Sequence, residues 1–303
     1  MENIKVPTID QFYLPEWLTM ELIASNIISF TPLFSYGTTI LSIQKKKTSL
    51  GFSIDICATM LIAASLRICY YFIIPYEQAL LRQSIVMIFI QLLLLRTSLK
   101  FRPREYDFDL LEQYDGNLKM DLVREYHEWD KKQGKFGMEL LVLVQGILKS
   151  VLNRFINFFD SKYQRIGSFW QWNNELMYWK FLFRFTLTMS FLTWVFNDYL
   201  KFGEFLGTIG LFVESLLPLP QILLLKKLKH VQGFKLLLLV SWLGGDFTKI
   251  GYLIFGAKNI SGIFLFFALF QMSLDFYIGY QYVYYKYYYI PEPQSVELYE
   301  LRV

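Results

Sequence analysis

Long apolar blocks separated by short charged connections run through the chain, at roughly residues 19–42, 52–75, 79–96, 179–198, 205–225, 234–256 and 261–285. Each is close to the ~20 residues that a helix needs to cross ~30 Å of hydrocarbon, so the pattern predicts seven membrane-spanning helices. Residues 138–159 are apolar too, but Gln145, Lys149, Asn153, Arg154 and Asn157 recur among them at helical spacing. That pattern predicts an amphipathic helix lying in the membrane interface rather than an eighth span.

The connections alternate in charge. Those holding Lys45, Lys46 and Lys47, then Arg96, Lys100, Arg102 and Arg104, then Lys226, Lys227, Lys229 and Lys235 are basic, which places them in the cytosol by the positive-inside rule. The intervening connections carry Glu77, or Asp198 and Glu204 against Lys201, and the leader of residues 1–18 holds Glu2, Asp10 and Glu16. The expected topology has a lumenal or external N-terminus and a cytosolic C-terminal tail, residues 286–303. The leader lacks the basic region and small-residue cleavage site of a signal peptide and is expected to be retained. Residues 97–178 form a cytosolic insert with an acidic part (107–130), the amphipathic helix, and an aromatic end, Phe169-Trp170-Gln171-Trp172, that reads as an interfacial anchor. The tyrosines between 277 and 289 read as an aromatic belt, and the sequon Asn259-Ile260-Ser261 falls in a short lumenal loop.

Composition agrees with this class. The 303 residues are 54% hydrophobic and 19% aromatic, with a mean hydropathy of +0.32, as in a polytopic membrane protein. The net charge of +4 reflects bases flanking the membrane, and no nucleic-acid partner is expected. Cys57 and Cys69 share the second block and read as core or lipid-facing thiols; neither they nor His127 and His230 have metal-ligand spacing. With no HExxH, GxSxG or Walker loop, neither an enzyme, a metal nor a cofactor is expected. Without an ATP site, any transport must run downhill.

The chain also repeats itself. Placing Gly51-Phe52 on Gly233-Phe234, an offset of 233 − 51 = 182, superposes two basic loops and puts Arg67 on Lys249. The expected fold is therefore all-α, with two parallel three-helix repeats, 19–96 and 205–285, joined by a linker span at 179–198, a 3+1+3 plan with binding between the repeats.

Several polar residues fall inside the apolar blocks. Pro220 bends a helix and frees a carbonyl, and Gln221 offers an amide to that group or to a cavity. Asp246 and Lys249, three apart, share a helix face; at ~1.5 Å per residue from Phe234 they lie about 18 and 22 Å deep, with Arg67 at an equivalent depth. Charges there require a cavity or a partner, and Glu214 and Asp275 are the acids placed to answer them. With Gln83, Ser84 and Gln91 they make up a candidate polar groove.

The joined triplets, Pro220-Gln221 and the run Gly245-Asp246-Phe247-Thr248-Lys249 resemble the PQ-loop family, relatives of cystinosin, the KDEL receptor and SWEET carriers. Leu66-Arg67-Ile68, Gln83 to Met87, Phe169 to Trp172 and Ser241-Trp242 through Lys249 are similar to its branch linked to phospholipid asymmetry. That resemblance implies a lipid scramblase of Golgi and endosomal membranes, with phospholipids as partners and an opposing relation to P4-type aminophospholipid flippases. The alternative is a proton-coupled carrier of small solutes with Asp246 as proton acceptor, as the cystinosin relatives imply, and a third class is a trafficking receptor. In the first triplet Thr38-Thr39 stand where the second has Pro220-Gln221, so a hinge there falls to Pro32 and Gly37.

Overall fold

A computed structural model describes residues 20–76, 78–103, 111, 139–160, 163–255 and 262–289. Its α-helices run in order α1 (Met20–Lys46), α2 (Asp55–Ile73), α3 (Gln78–Lys100), α4 (Glu139–Phe159), α5 (Glu175–Val195), α6 (Leu200–Ser215), α7 (Pro218–Leu228), α8 (Leu236–Phe255) and α9 (Gly262–Val283). Among the described residues no strand occurs and the long elements are helices, as in a helical membrane protein. Asp55–Ile73, Leu80–Lys100 and Leu200–Leu228 are long and apolar enough to cross a bilayer. The leader, the acidic stretch 107–130, His127, Asn259 and the tail beyond 289 lie outside the described residues.

Packing follows one scheme twice. α3 packs between α1 and α2, and α9 between the α6–α7 segment and α8. The two groups meet where α2 lies along α6 and α1 along α8, while α5 rests on α2. The α2–α6 seam is close because α6 presents Gly203, Gly207 and Gly210 to Ile73, Tyr70 and Leu66; a Cβ at Gly203 would sit 2.8 Å from Ile73 Cγ2. Small residues of this kind let membrane helices approach near enough for dispersion contacts to hold them, since lipid supplies no hydrophobic drive.

The fifth apolar block is not one straight helix. Pro218 and Pro220 cannot donate to the carbonyls of Glu214 and Leu216, four residues back. Those carbonyls instead accept from Leu217 N and Leu219 N, both at 3.0 Å. The tightened turn at Leu216-Leu217 separates α6 from α7, so the break lies at the start of the Pro-Leu-Pro run, ahead of Pro220 itself.

The turns before α2 and α8 share a backbone conformation. Lys47 and Lys229 have φ of 52° and 54°, and Gly51 and Gly233 have 85° and 90°. Phe52 N bonds Ser49 O, and Phe234 N bonds Val231 O; every one of these pairs is offset by 182, the spacing of the sequence repeat. The two glycine backbones touch, leaving no room for a side chain on either.

The aromatic run expected as an interfacial anchor instead packs into the bundle, with Trp170 and Gln171 buried and Phe169 and Trp172 half-buried. Trp170 is 1% exposed in the main core, with Ile56, Leu94 and Leu225, and its indole donates to the Ile54 carbonyl at 3.0 Å. Arg165 beside it makes a bidentate pair with Asp55 at 2.6 and 2.7 Å. Burial alone would lower the pKa of this guanidinium, but the Asp55 carboxylate outweighs it and holds Arg165 above its ordinary value. Gln171 braces the same strap, accepting from Arg165 N and donating to Tyr163 O, both at 2.8 Å. α4 leans on the bundle through Phe155 on Phe212 and Phe158 on Phe169, with Leu148 and Leu152 exposed.

Gly233→Ala should destabilise the fold by at least ~2 kcal/mol, combining the left-handed backbone cost with overlap of the Leu50 carbonyl. A thermal melt of the detergent-purified protein checks this; an unchanged midpoint would show that the two turns separate without cost.

Candidate functional site

Glu214 ends α6, one residue before its last, immediately ahead of the break. Its carboxylate is 10% exposed and accepts two charged donors, Arg67 Nη1 of α2 at 2.9 Å and Lys249 Nζ of α8 at 2.8 Å. The two cations occupy corresponding places at the offset of 249 − 67 = 182, yet share one acid, because the position matching Glu214 is Pro32, buried within α1. The site therefore holds two positive groups and one negative group within a helical bundle. The Tyr76 hydroxyl donates to the Arg67 carbonyl at 3.1 Å and lies beside Ser84, which extends the cluster to α3.

Asp246 lies one turn from Lys249 on α8, but the ammonium turns to Glu214 instead. Asp246 Oδ1 accepts from Gln271 Nε2 of α9 at 2.9 Å. Asp275, one turn further along α9 and fully buried, faces the Asp246 carboxyl. The structure thus brings Arg67, Glu214 and Lys249 into one cluster and Asp246 and Asp275 into another, joined along α8. Gln83 is half-buried on α3. Gln91 is fully buried, its amide directed to Met87 Sδ at 3.7 Å within the same helix, and it takes no part in either cluster.

Gln221, directly after Pro220 and fourth in α7, is fully buried. The carbonyls released by the prolines are already satisfied, and its amide reaches the opposite turn: Nε2 donates to Gly51 O at 2.9 Å and Oε1 accepts from Ser53 N at 3.3 Å. The corresponding place in the other half, at Thr38-Thr39, is served by Lys235, whose Nζ donates to the Thr38 carbonyl at 3.1 Å. Pro220-Gln221 thus ties a bent helix to the turn of the other half.

Three contacts in and around the site were absent from the sequence reading. Gln271 precedes Asp275 by one helical turn, a spacing that could have marked it. Trp242 donates to the Tyr36 hydroxyl at 3.1 Å across the α1–α8 seam, a pairing with no local signal. Asp55 and Arg165 are 110 residues apart, and Arg165 lies in an irregular connection without periodicity.

Removing the shared acid leaves two cations facing each other in a low-dielectric interior. Glu214→Gln is expected to lower stability by about 3–5 kcal/mol, whereas Glu214→Asp, which keeps the charge, should lose less. Melting curves of both variants in detergent check the order; equal, small losses would mean that water already screens the cluster.

The family pattern described as PQ loop repeat matches residues 202–271, which include Glu214, the break, Gln221, Asp246, Lys249 and Gln271. The chain is 54% identical over 305 aligned positions to Scramblase ANY1 of Saccharomyces cerevisiae, covering 94% of this chain and 75% of that relative. No solved structure matches. With a family match over the bent helix and Lys249, and a relative aligned over nearly the whole chain, this protein belongs to the PQ-loop family.

Proposed function

We propose that this chain is an energy-independent phospholipid scramblase. The observation that carries the reading is the Arg67–Glu214–Lys249 cluster, with two cations on one carboxylate where the two helix groups meet, in a chain 54% identical to a protein named a scramblase. A head group crossing hydrocarbon must be spared its desolvation cost, and a polar track supplies that while acyl chains stay in lipid. The surplus cation suits the phosphate common to phospholipid head groups. Phospholipids are then the partners, and downhill movement opposes what P4-type flippases build, in Golgi and endosomal membranes.

The architecture we assign is the 3+1+3 plan: α1–α3 and α6–α9 as parallel triplets of spans, with α6–α7 as one bent span and α5 as linker. The repeated packing order, the matched turns and the offset of 182 support it. The tightened turn at Leu216-Leu217, with Pro220, Gln221 and Pro32, supplies the hinge. The facing carboxyls of Asp246 and Asp275 favour a second reading, a proton-coupled carrier of small solutes.

Reconstitution into liposomes with fluorescent lipid in both leaflets and an impermeant quencher separates these readings. Wild type should expose inner-leaflet lipid without ATP or a pH gradient. Arg67→Gln and Lys249→Gln should slow this roughly tenfold each, the loss of one charge-assisted contact of about 1.5 kcal/mol, while Asp246→Asn should slow it less. Wild-type transfer that is absent, or that requires a proton gradient, would overturn the scramblase reading, and gradient-driven solute uptake abolished by Asp246→Asn would establish the carrier.

The same plan orients the chain with Lys45–Lys47 and Lys226–Lys229 in the cytosol. In sealed vesicles of known sidedness, an impermeant maleimide should label Lys46→Cys and Lys227→Cys from the cytosolic face alone. Labelling of either from the lumenal face would reverse the orientation or break the parallel relation of the two halves.

A further inference from the structure

α5 carries charge where a membrane helix should have none. Its inward face packs on α2 through Phe185, Met189 and Thr193. Lys180, Arg184 and Thr188, spaced one turn apart, lie on a different face and are all exposed. Neither cation has an ion-pair or hydrogen-bond partner among the described residues. Arg184 lies nine residues past Glu175 in a helix of 21, about two and a half turns in, and its surroundings on that face are Phe183, Leu187 and Phe191, all exposed.

An ionised guanidinium is not left bare in hydrocarbon. Such groups turn to a cavity, pair, or draw water and head groups down to themselves. Arg184 faces away from the bundle and has no partner among the described residues, which leaves the third route. Of the groups that route supplies, the phosphate of a phospholipid suits a planar guanidinium best, because it accepts paired donors. Lys180 stands one turn nearer the membrane surface and Thr188 adds a hydroxyl one turn deeper. Beyond Thr188 the same face is apolar, with Phe191 and Val195 exposed.

We infer that Lys180, Arg184 and Thr188 form a phospholipid phosphate site on the lipid-facing side of α5, which admits a head group from the α5 N-terminal leaflet to the level of Arg184. It is separate from the Glu214 cluster. Its use as an entry step rests on the scramblase reading; its occupancy does not.

The test uses the full chain in phosphatidylcholine vesicles containing a phospholipid with a photoreactive diazirine on its head group. After illumination, mass spectrometry should find adducts concentrated on the peptide holding residues 180–188. They should fall at least fivefold in Arg184→Leu, a change that adds apolar surface where lipid already lies and does not threaten folding, and be retained in Arg184→Lys. Inorganic phosphate should not compete. Adducts that are missing from this peptide or indifferent to Arg184→Leu would overturn the site. Scrambling is measured on the same vesicles and should slow several-fold in Arg184→Leu. Normal wild-type scrambling with no α5 adducts sinks the site alone, whereas α5 adducts in a wild type that does not scramble keep the site and sink the scramblase reading.

Discussion

A carboxylate inside an apolar bundle stays ionised only if cations answer it, and Glu214 is answered from two sides, by Arg67 and by Lys249. Three helices are held at one level by that arrangement, α2 from one group and α6 and α8 from the other. The glycine seam of α6 allows it, because Gly203, Gly207 and Gly210 bring α2 close enough for Arg67 to reach across. Larger side chains there would separate donor and acceptor, and in hydrocarbon no water would fill the gap.

The prolines matter for the same reason. Every backbone group in a membrane span needs a partner, and Pro218 and Pro220 withdraw two. The chain recovers the loss locally, through the tight bonds from Leu217 and Leu219, and this leaves Gln221 free for a tertiary role. Its amide saturates the turn at Gly51 and Ser53. Break, buried glutamine and opposed glycines thus form one continuous unit running from the ionic cluster to the basic end of the bundle. The Asp55–Arg165 pair and Trp170 close that end from the side of the connecting strap.

Much of this could be read from the residues before any coordinates. The all-helical membrane class followed from block lengths, and α2 and α3 fall on the second and third blocks because no internal Pro or Gly interrupts them. Arg67, Glu214 and Lys249 stood out because each breaks an apolar run. What escaped has a physical cause in each case. Asp246 and Lys249 had the spacing to pair, but a better-placed acid on another helix took the ammonium. Trp170 resembled a belt residue, since an indole suits an interface as well as a core and only the Ile54 carbonyl decides between them. The partner of Gln221 lies 170 residues away, beyond any local pattern, and Arg184 drew no reading, because only its exposure sets it apart.

The contact between Gly51 and Gly233 has a further meaning under the duplicated plan. Positions close to an internal two-fold axis meet their own counterparts, as in an isologous dimer interface, so a residue acceptable there must fit against itself. That requirement admits little but glycine on both sides and binds the two halves to a common choice. Away from the axis each half meets different neighbours, and the halves have been free to part: proline and glutamine in one, two threonines in the other, with Lys235 reaching over to fill the place. The difference between the halves is thus built outward from a point where the molecule must remain identical to itself.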